Sequence, residues 1–376
     1  MAKMVQQAHH PERSRRIAIN GFGRIGRLFL RRALETPGLD VVAVNDLGDA
    51  ENLAYLFQHD TVYGKYQGNV QLTTDGSTSS PSRAESRDNQ QVHLTVNGKK
   101  IRFLQEKEPA KLPWGELGID VVVESTGVFE SFELSKVHLD AGAKRVVLTA
   151  PAKDDDGTIG MTVLCGVNEA DFGKTLITSN ASCTTNAAAP VIQVLSENPG
   201  IEKAILNTVH AYTATQSIVD GPVPHPSKKG EGGKDFRRGR AAAQNIAPST
   251  TGAAIAVTRA IPALLGKFDG IAMRIPIVAG SIADITFVAK RPTSAGEIND
   301  ILRAAAADPR WQGILAVTEE QVVSSDIVGE PYGAIVDLSF TKVVDGTLVK
   351  VLSWYDNEAG YVATLLRHVQ LVAKNL

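Results

Sequence analysis

Two side chains could together form a reactive thiol–imidazole pair, and the first is a cysteine in a polar setting. Cys183 lies in the segment SNASCTTN, after a predicted strand and before a helix predicted over residues 184–195. Partial positive charge at a helix N-terminus lowers the pKa of a thiol and favours the nucleophilic thiolate. The alternative is a buried structural cysteine, which normally has apolar neighbours, as Cys165 has in MTVLC. The pattern favours a nucleophilic Cys183 and gives Cys165 no role.

The second is His210, the histidine best placed to act as a base. It follows the apolar run 204–209 and opens the segment HAYTATQ, so one strand end presents an imidazole together with hydroxyl groups. A lone histidine is more often structural, and a thiolate–imidazole pair requires a proximity that spacing cannot show. These residues alone therefore leave the role of His210 open.

A glycine-rich turn near the start of the chain is a third chemical signal. Gly21, Gly23 and Gly26 form G-x-G-x-x-G between a predicted strand and a predicted helix, which permits close approach of a pyrophosphate to the helix N-terminus. Asp46 follows at the end of the next strand, where a carboxylate accepts hydrogen bonds from a ribose and repels a 2′-phosphate. The alternative is a tight turn with Asp46 capping a loop. The βαβ context favours a dinucleotide, and NAD over NADP.

The elements that position these residues differ between the two halves of the chain. Up to about residue 178, β-branched runs alternate with helical segments, which is typical of a doubly wound α/β domain. Beyond residue 205, β-rich runs without regular alternation predict a mixed α+β domain, and apolar positions on one face of 360–376 predict a terminal helix returning to the cofactor domain. The expected organisation is a flexible extension at 1–15, a dinucleotide-binding domain at 16–182 and 355–376, and a catalytic domain at 183–354.

Composition excludes several classes of protein. The chain has 376 residues, 43% hydrophobic and 21% charged, as expected for a soluble globular protein of about two to three domains. Its net charge of −2 provides no strong field toward nucleic acid or an anionic membrane. The first residues lack the apolar run of a secretory signal, and no stretch offers the roughly 18 apolar residues of a membrane span. With only two cysteines, we expect a cytoplasmic protein, and we assign no metal site.

Five segments resemble the glyceraldehyde-3-phosphate dehydrogenase family, in the family's order, from about residue 16 to the C-terminus. They are AINGFGRIGR at 18–27, SNASCTTN at 179–186, HAYTATQ at 210–216, STTGAA at 249–254 and WYDNE at 354–358. The second and third are far more specific than the glycine motif. The resemblance implies a Rossmann-type domain plus a catalytic domain in a homotetramer. It also implies oxidation of D-glyceraldehyde 3-phosphate through a cysteine thiohemiacetal and thioester, with hydride transfer to NAD, and attack of inorganic phosphate on the thioester to give 1,3-bisphosphoglycerate.

The resemblance also assigns roles position by position. It makes Cys183 the nucleophile and His210 the base. The residues expected to bind phosphate are Thr213, Arg238 and Arg274 for the substrate, and Ser182, Thr184, Thr251 and Gly252 for the attacking phosphate. The residues expected to contact the cofactor are Gly21, Phe22, Gly23, Arg24, Ile25, Gly26, Asp46, Ser125, Thr126, Asn357 and Tyr361. The sequence leaves open which arginine points inward among Arg237, Arg238 and Arg240.

Several positions depart from the family's pattern. Ala187, Ile255 and Ala359 replace the usual cysteine, lysine and aromatic residue. Apparent inserts at 223–226 and 230–233 lengthen a loop that in relatives contacts a neighbouring subunit's cofactor, which leaves cofactor preference and subunit packing open. A polar segment, 73–91, is predicted to be a surface excursion.

Three other functions remain alternatives. An erythrose-4-phosphate dehydrogenase would share the fold and nucleophile but hydrolyse the thioester, although HAYTATQ and STTGAA favour the phosphorylating branch. A cysteine hydrolase using Cys183 and His210 would leave the glycine turn and Asp46 unexplained. A non-catalytic binding protein with the same fold would bind cofactor without turnover.

Overall fold

The computed structural model describes residues 14–75, 91–223 and 235–376. These residues form a nine-stranded sheet, a seven-stranded sheet and a two-stranded hairpin. The strands are β1 (Arg15–Asn20), β2 (Leu39–Asn45), β3 (His59–Asp60), β4 (Gly64–Lys65), β5 (Val70–Thr74), β6 (Val92–Val96), β7 (Lys99–Leu104), β8 (Val121–Glu124), β9 (Arg145–Leu148), β10 (Gly160–Thr162), β11 (Ile177–Ser179), β12 (Ile201–Ala211), β13 (Ala247–Thr250), β14 (Phe268–Ile275), β15 (Ser281–Ala289), β16 (Leu315–Thr318), β17 (Ala334–Val344) and β18 (Leu348–Tyr355). The α-helices are α1 (Arg24–Ala33), α2 (Ala50–Gln58), α3 (Phe132–Ser135), α4 (Val137–Asp140), α5 (Cys183–Glu197), α6 (Ala253–Ala260), α7 (Ala295–Ala307) and α8 (Ala359–Lys374).

The nine-stranded sheet has the order β10-β11-β9-β8-β1-β2-β7-β6-β5. Strand β1 pairs in parallel with β2 on one side and with β8 on the other, so the chain leaves β1 in one direction and later returns to its opposite edge. Ile17, Ala18 and Ile19 are fully buried, as expected for a central parallel strand covered on both faces. Such a switch point opens a crevice at the carboxyl ends of the strands, where dinucleotides bind.

The seven-stranded sheet has the mixed order β13-β14-β12-β15-β18-β17-β16. Strand β12 pairs in parallel with β14 and antiparallel with β15, so the carboxyl ends of β12 and β14 meet at the same edge. Alternate residues of β15 are buried, and α5 packs against β12, β15, β17 and β18. Helix α5 therefore covers one face of this sheet, and its N-terminus carries Cys183.

The terminal helix α8 packs against α1 and β8 of the first sheet and also against α5. The predicted fold class, a Rossmann-type domain with a mixed second domain and a returning C-terminal helix, is confirmed. In the part of the chain that the structure describes, no helix has the length and apolar character to cross a bilayer.

Some predicted elements differ from the structure. Between β8 and β9 the structure has two short helices, α3 and α4, which meet at Lys136. The antiparallel strands β5 and β6 were not predicted, and β5 takes in Thr73 and Thr74 from the expected surface excursion. Residues 76–90 of that excursion, 1–13 of the extension, and 224–226 and 230–233 of the inserts lie outside the described residues.

Candidate active site

A cavity of about 700 Å³ lies between the two sheets and contains the thiol and the imidazole predicted from the sequence. It is lined by all nine residues expected to carry chemistry or bind phosphate, namely Ser182, Cys183, Thr184, His210, Thr213, Arg238, Thr251, Gly252 and Arg274. Thr126, one of the expected cofactor contacts, lines it as well. Three different elements, α5, β12 and β14, thus converge on one concave surface.

Cys183 is the first residue of α5, and the local sequence explains why the helix begins there. Ser182 is the N-cap, because its hydroxyl accepts from the backbone N–H of Thr185 at 3.1 Å, and the Thr185 hydroxyl accepts in return from the Ser182 N–H. The capping box fixes the entry of the chain into the helix. The half-buried Cys183 thiol is thereby held at the cavity wall.

His210 lies next to the end of β12 and is almost fully buried. Its Nε2 is 3.3 Å from Cys183 Sγ, within hydrogen-bonding distance for sulfur. The imidazole also contacts the ring of Tyr355 edge-on, with 5.9 Å between centroids. The proximity that spacing could not show is therefore present.

Arg274 lies beside His210 because β12 and β14 are paired in parallel with these two residues in register. Its Nη1 is 2.6 Å from His210 Nδ1 and 3.1 Å from the carbonyl oxygen of Ala211. The same Nδ1 is 2.6 Å from that carbonyl oxygen. Arg274 is thus near both the imidazole and the cavity.

Burial dominates the protonation of both reactive groups. It raises the pKa of the Cys183 thiol above its ordinary value, while the nearby Arg274 cation acts in the opposite direction. Burial, followed by repulsion from Arg274, lowers the pKa of His210 to about 3. The lowered thiol pKa expected from the helix N-terminus is not found, because desolvation of the sulfur outweighs it. Both shifts favour the uncharged forms, a thiol and a neutral imidazole.

The arginine cluster is divided by the fold. Arg238 lines the cavity and pairs with Asp235 at 3.0 Å, whereas Arg240 pairs with Asp220 outside it, and Arg237 is exposed. Arg238 is therefore the member of the cluster that faces the cavity, along with Arg274. Two guanidinium groups with nearby hydroxyls are well suited to phosphate oxygens.

The glycine-rich turn after β1 fits a dinucleotide. Gly21 has a φ of +98°, and a Cβ at this position would lie 2.6 Å from backbone atoms of Ser125 and Thr126. A Cβ at Gly26 would lie 2.1 Å from the carbonyl oxygen of Gly21, whereas one at Gly23 would meet nothing within 4 Å. Two glycines are thus required for packing and the third leaves an open approach to the N-terminus of α1, as binding of a pyrophosphate requires.

Asp46 follows β2, directly beside this turn. Its carboxylate accepts from the backbone N–H groups of Phe22 at 2.6 Å and Gly48 at 2.8 Å, which fixes its orientation. The Phe22 ring is fully buried against Phe57, so this residue offers only its backbone to the cleft. Ser125 donates from its hydroxyl to the carbonyl oxygen of Gly21 at 2.7 Å and so ties the end of β8 to the turn.

The remaining expected cofactor contacts lie at the junction with α8. Asn357 is buried and accepts from the Ser281 hydroxyl at 3.1 Å, while the Tyr361 hydroxyl donates to the carbonyl oxygen of Ala181 at 3.0 Å. Ile25 packs against the core. The Arg24 side chain turns away from the glycine turn to Glu358 and Asp60, with its Nη2 2.6 Å from Glu358. This ion pair connects the turn to the segment that carries Asn357.

A buried polar network below the cofactor crevice was missed from the sequence. Glu124 accepts from the Asn20 amide at 2.6 Å and lies 3.0 Å from His138 Nε2, while Trp114 Nε1 donates to His138 Nδ1 at 3.1 Å. Glu124 also accepts from the backbone N–H and the hydroxyl of Thr126. The only available signal was a carboxylate at the end of a strand of valines, DVVVE, where a fully apolar residue would be expected.

A dinucleotide crevice beside a buried thiol–imidazole pair defines a nicotinamide-dependent dehydrogenase that forms a covalent intermediate. Comparisons with known proteins give the family. Residues 15–132 match the glyceraldehyde 3-phosphate dehydrogenase NAD binding domain, and residues 182–357 match the C-terminal domain of the same family.

Curated relatives extend the match over nearly the whole chain. The glyceraldehyde-3-phosphate dehydrogenase of Clostridium pasteurianum is 45% identical over 363 residues, which is 96% of this chain and 98% of that protein. The enzyme of the same name from Streptomyces coelicolor is 44% identical over 96% of this chain and 99% of its own length, and that of Mycobacterium avium is 45% identical with the same coverage. The chain belongs to the glyceraldehyde-3-phosphate dehydrogenase family and is an NAD-dependent oxidoreductase.

Proposed function

We propose that Cys183 and His210 carry out the phosphorylating oxidation of D-glyceraldehyde 3-phosphate to 1,3-bisphosphoglycerate. The observation that supports this assignment is the 3.3 Å contact between Cys183 Sγ and His210 Nε2 inside a cavity lined with arginines and hydroxyls. Covalent catalysis divides a difficult oxidation into an addition and a transfer, and a thiol with an adjacent base suits both steps.

The first step joins sulfur to the aldehyde. Cys183 Sγ attacks the carbonyl carbon, and the proton of the thiol ends on the former carbonyl oxygen, giving a thiohemiacetal. His210 accepts the hydroxyl proton of this adduct at Nε2 while the carbon loses a hydride, which leaves a thioester on Cys183. NAD, when bound, supplies the acceptor for that hydride.

The second step transfers the acyl group to phosphate. An oxygen of hydrogen phosphate attacks the thioester carbon, and the C–S bond breaks with its electron pair returning to Cys183. The sulfur takes back the proton held on His210 Nε2, and the proton of the phosphate is released to solvent. We assign Ser182, Thr184, Thr251 and Gly252 to the attacking phosphate, and Thr213, Arg238 and Arg274 to the phosphate of the substrate. Charge-assisted hydrogen bonds from arginine to phosphate are stronger than neutral ones and fix the orientation of the aldehyde.

We assign the cofactor to the crevice at the carboxyl ends of β1, β2 and β8. Its pyrophosphate would lie on the backbone of residues 21–26, its adenosine ribose on Asp46, and its nicotinamide between Ser125, Thr126, Asn357 and Tyr361. A domain division at 16–182 plus 355–376 and 183–354 agrees with this assignment, because α8 packs on α1 while α5 packs on the second sheet.

We further propose a homotetramer in the cytoplasm. The face of the second sheet opposite α5 exposes apolar side chains, including Ile205, Ile271 and Leu348, and a surface of this kind favours association. Both cysteines are free, which agrees with a reducing compartment such as the cytoplasm. Light scattering that gives four times the 40.1 kDa chain mass would support the tetramer, whereas a monomer mass would contradict it.

The test of the reaction is the rate of NAD reduction with glyceraldehyde 3-phosphate, with and without inorganic phosphate. The parent should reduce NAD in a phosphate-dependent manner, and Cys183→Ala should lower the rate by about 10³-fold or more. Cys165→Ala is the matched control and should keep the activity, because Cys165 is buried away from the cavity.

The other outcomes identify the alternatives. Turnover that is independent of phosphate would indicate a hydrolysing dehydrogenase. Binding of NAD without turnover would indicate a binding protein, and full activity in Cys183→Ala would exclude Cys183 as the nucleophile.

A further inference from the structure

Three parallel strands of the first sheet end at the cofactor crevice, and each ends on a buried polar side chain. These are Asn20 at the end of β1, Asn45 at the end of β2 and Glu124 at the end of β8. Burial of a polar group costs free energy unless the group is hydrogen-bonded. The partners of these three side chains therefore indicate what they do.

The backbone of Glu106 fixes the direction of the hydrogen bonds on one side of this set. Its N–H donates to the Asn45 amide oxygen at 2.9 Å, and its carbonyl oxygen accepts from the Asn45 amide nitrogen at 3.0 Å. The same nitrogen donates to the Asn20 amide oxygen at 2.7 Å. The Asn20 amide nitrogen in turn donates to Glu124 Oε2 at 2.6 Å. Because a backbone N–H only donates and a carbonyl oxygen only accepts, neither amide can be reversed without losing bonds.

Trp114 fixes the direction on the other side. An indole N–H only donates, so its 3.1 Å bond to His138 Nδ1 requires a bare Nδ1 and a neutral imidazole. The imidazole proton is then on Nε2, which donates to Glu124 Oε2 at 3.0 Å. The other oxygen, Oε1, accepts from the backbone N–H of Thr126 at 2.8 Å and from the Thr126 hydroxyl. Both oxygens of Glu124 must therefore accept.

We propose that Glu124 is a positioning residue for the cofactor, and that its two oxygens have different tasks. Asn20 and His138 anchor Oε2 in the core, while Oε1 holds Thr126, which we assigned to the nicotinamide side of the crevice. The Thr126 hydroxyl also accepts from the N–H of Val128 at 3.1 Å, so the turn that begins at Thr126 depends on the same carboxylate. Glu124 thus connects the rigid core to one wall of the crevice.

This inference rests on the proposed assignment of NAD to the crevice, and it explains why a carboxylate occupies this buried position. Glutamine has the same shape, but its amide nitrogen donates and only its oxygen accepts. Glu124→Gln therefore leaves donors facing a donor, either at Thr126 or at the core side. Asn20 and His138 are buried, whereas Thr126 is half-buried and can move, so we expect the displacement at Thr126.

The experiment is calorimetric titration of the protein with NAD and, separately, with NADH. Glu124→Gln should raise the Kd of both forms about tenfold, because the loss of one buried hydrogen bond to a charged group has that size. A displaced Thr126 affects the oxidised and the reduced cofactor alike. If the carboxylate acted through its charge instead, the loss would be confined to NAD, whose nicotinamide ring is cationic.

Trp114→Phe is the matched control. It removes the N–H donor to His138 Nδ1, so it damages the same buried network on the side away from Thr126. Trp114→Phe and Glu124→Gln should both unfold at lower urea concentration than the parent, but Trp114→Phe should keep the Kd for NAD within twofold. Glu124→Asp keeps the charge and is one methylene too short to reach partners on both sides. It should therefore weaken binding of NAD and NADH as Glu124→Gln does.

A further measurement uses the unaltered protein and does not depend on a variant folding. The Thr126 amide is bonded to Glu124 in the structure, so its hydrogen exchange should be slow before any cofactor is added. Exchange that is fast until NAD is added would overturn the inference, because the turn would then be ordered by the cofactor and not by Glu124.

Three titration results would also overturn it: an unchanged Kd in Glu124→Gln, a loss confined to NAD, or an equal rise of Kd in Trp114→Phe. The parent titration separates the two claims. Binding by the parent with an unchanged Kd in Glu124→Gln contradicts positioning by Glu124 alone. A parent that binds neither NAD nor NADH contradicts the proposed function.

Discussion

Two buried histidines, His138 of α4 near the cofactor crevice and His210 of β12 at the cavity, differ in the partners of their imidazoles. His138 and His210 are 0% and 3% exposed, so burial does not separate them. Trp114 donates to Nδ1 of His138, and its Nε2 is 3.0 Å from Glu124 and 3.5 Å from the amide nitrogen of Asn20. The Nδ1 of His210 is 2.6 Å from the Ala211 carbonyl oxygen, and its Nε2 is 3.3 Å from the Cys183 thiol. His138 thus has only structural neighbours among these groups, whereas His210 faces a thiol at the cavity.

A similar contrast holds for the acidic groups beside the two rings, Glu124 and Cys183. The Glu124 carboxylate accepts from Asn20 and from the backbone and hydroxyl of Thr126, besides its contact with His138, so its hydrogen-bonding capacity is filled. The Cys183 sulfur faces the cavity, with His210 Nε2 at 3.3 Å. We therefore expect the first region to position the cofactor crevice and the second to perform the chemistry.

The sharpest test of this contrast replaces each histidine by asparagine. His210→Asn should lower kcat by about 10³-fold, because the base is lost, while the free energy of unfolding changes little. His138→Asn should reverse the pattern, with kcat within a few-fold of the parent and a loss of about 3 kcal/mol in stability, because Glu124 loses a buried partner. Steady-state kinetics and urea unfolding measure the two effects. If both variants lost kcat equally and neither lost stability, the distinction between a structural His138 and a catalytic His210 would be wrong.

A smaller effect is expected at Asp46, which belongs to the binding region. Asp46→Asn removes the charge that repels a 2′-phosphate and keeps one acceptor oxygen, although Phe22 and Gly48 donate to different oxygens of the carboxylate and one of these N–H groups loses its acceptor. The preference for NAD over NADP, measured as the ratio of kcat/KM values, should fall about tenfold, since about 1.4 kcal/mol is a realistic size for one such charge interaction. The kcat with saturating NAD should stay within twofold. An unchanged ratio would show that Asp46 does not set cofactor choice.

The smallest effect concerns stability and pH. Burial holds the pKa of His210 and of His368 at about 3, whereas an unfolded histidine titrates near 6.5. Between these values the unfolded state binds protons that the folded state does not, so stability falls as pH decreases from 6.5 toward 3. Each histidine contributes up to about 1.4 kcal/mol per pH unit, and His210→Asn should reduce the slope of urea-unfolding free energy against pH by about that amount. A slope unchanged in His210→Asn would contradict a neutral buried imidazole.

The local features of the site could be predicted from the sequence, and the long-range ones could not. The β1 turn and the start of α5 follow from glycine spacing and from the Ser182 cap, which are properties of a few adjacent residues. The distance between Cys183 and His210 depends on the order of strands in the second sheet, which spacing does not encode. The raised thiol pKa was missed for the same reason, because desolvation comes from the whole surrounding fold. The ion pair between Arg24 and Glu358 was not predicted either, because it joins residues that are 334 positions apart in the sequence.

The most direct test of the central claim is to find the cysteine that carries the acyl group. The protein is mixed with glyceraldehyde 3-phosphate and NAD without inorganic phosphate, quenched in acid, digested and mapped by mass spectrometry. We expect a phosphoglyceroyl thioester on the peptide containing Cys183, which disappears when inorganic phosphate is added before the quench. A thioester on Cys165, or NAD reduction with no acylated cysteine in the absence of phosphate, would contradict the account.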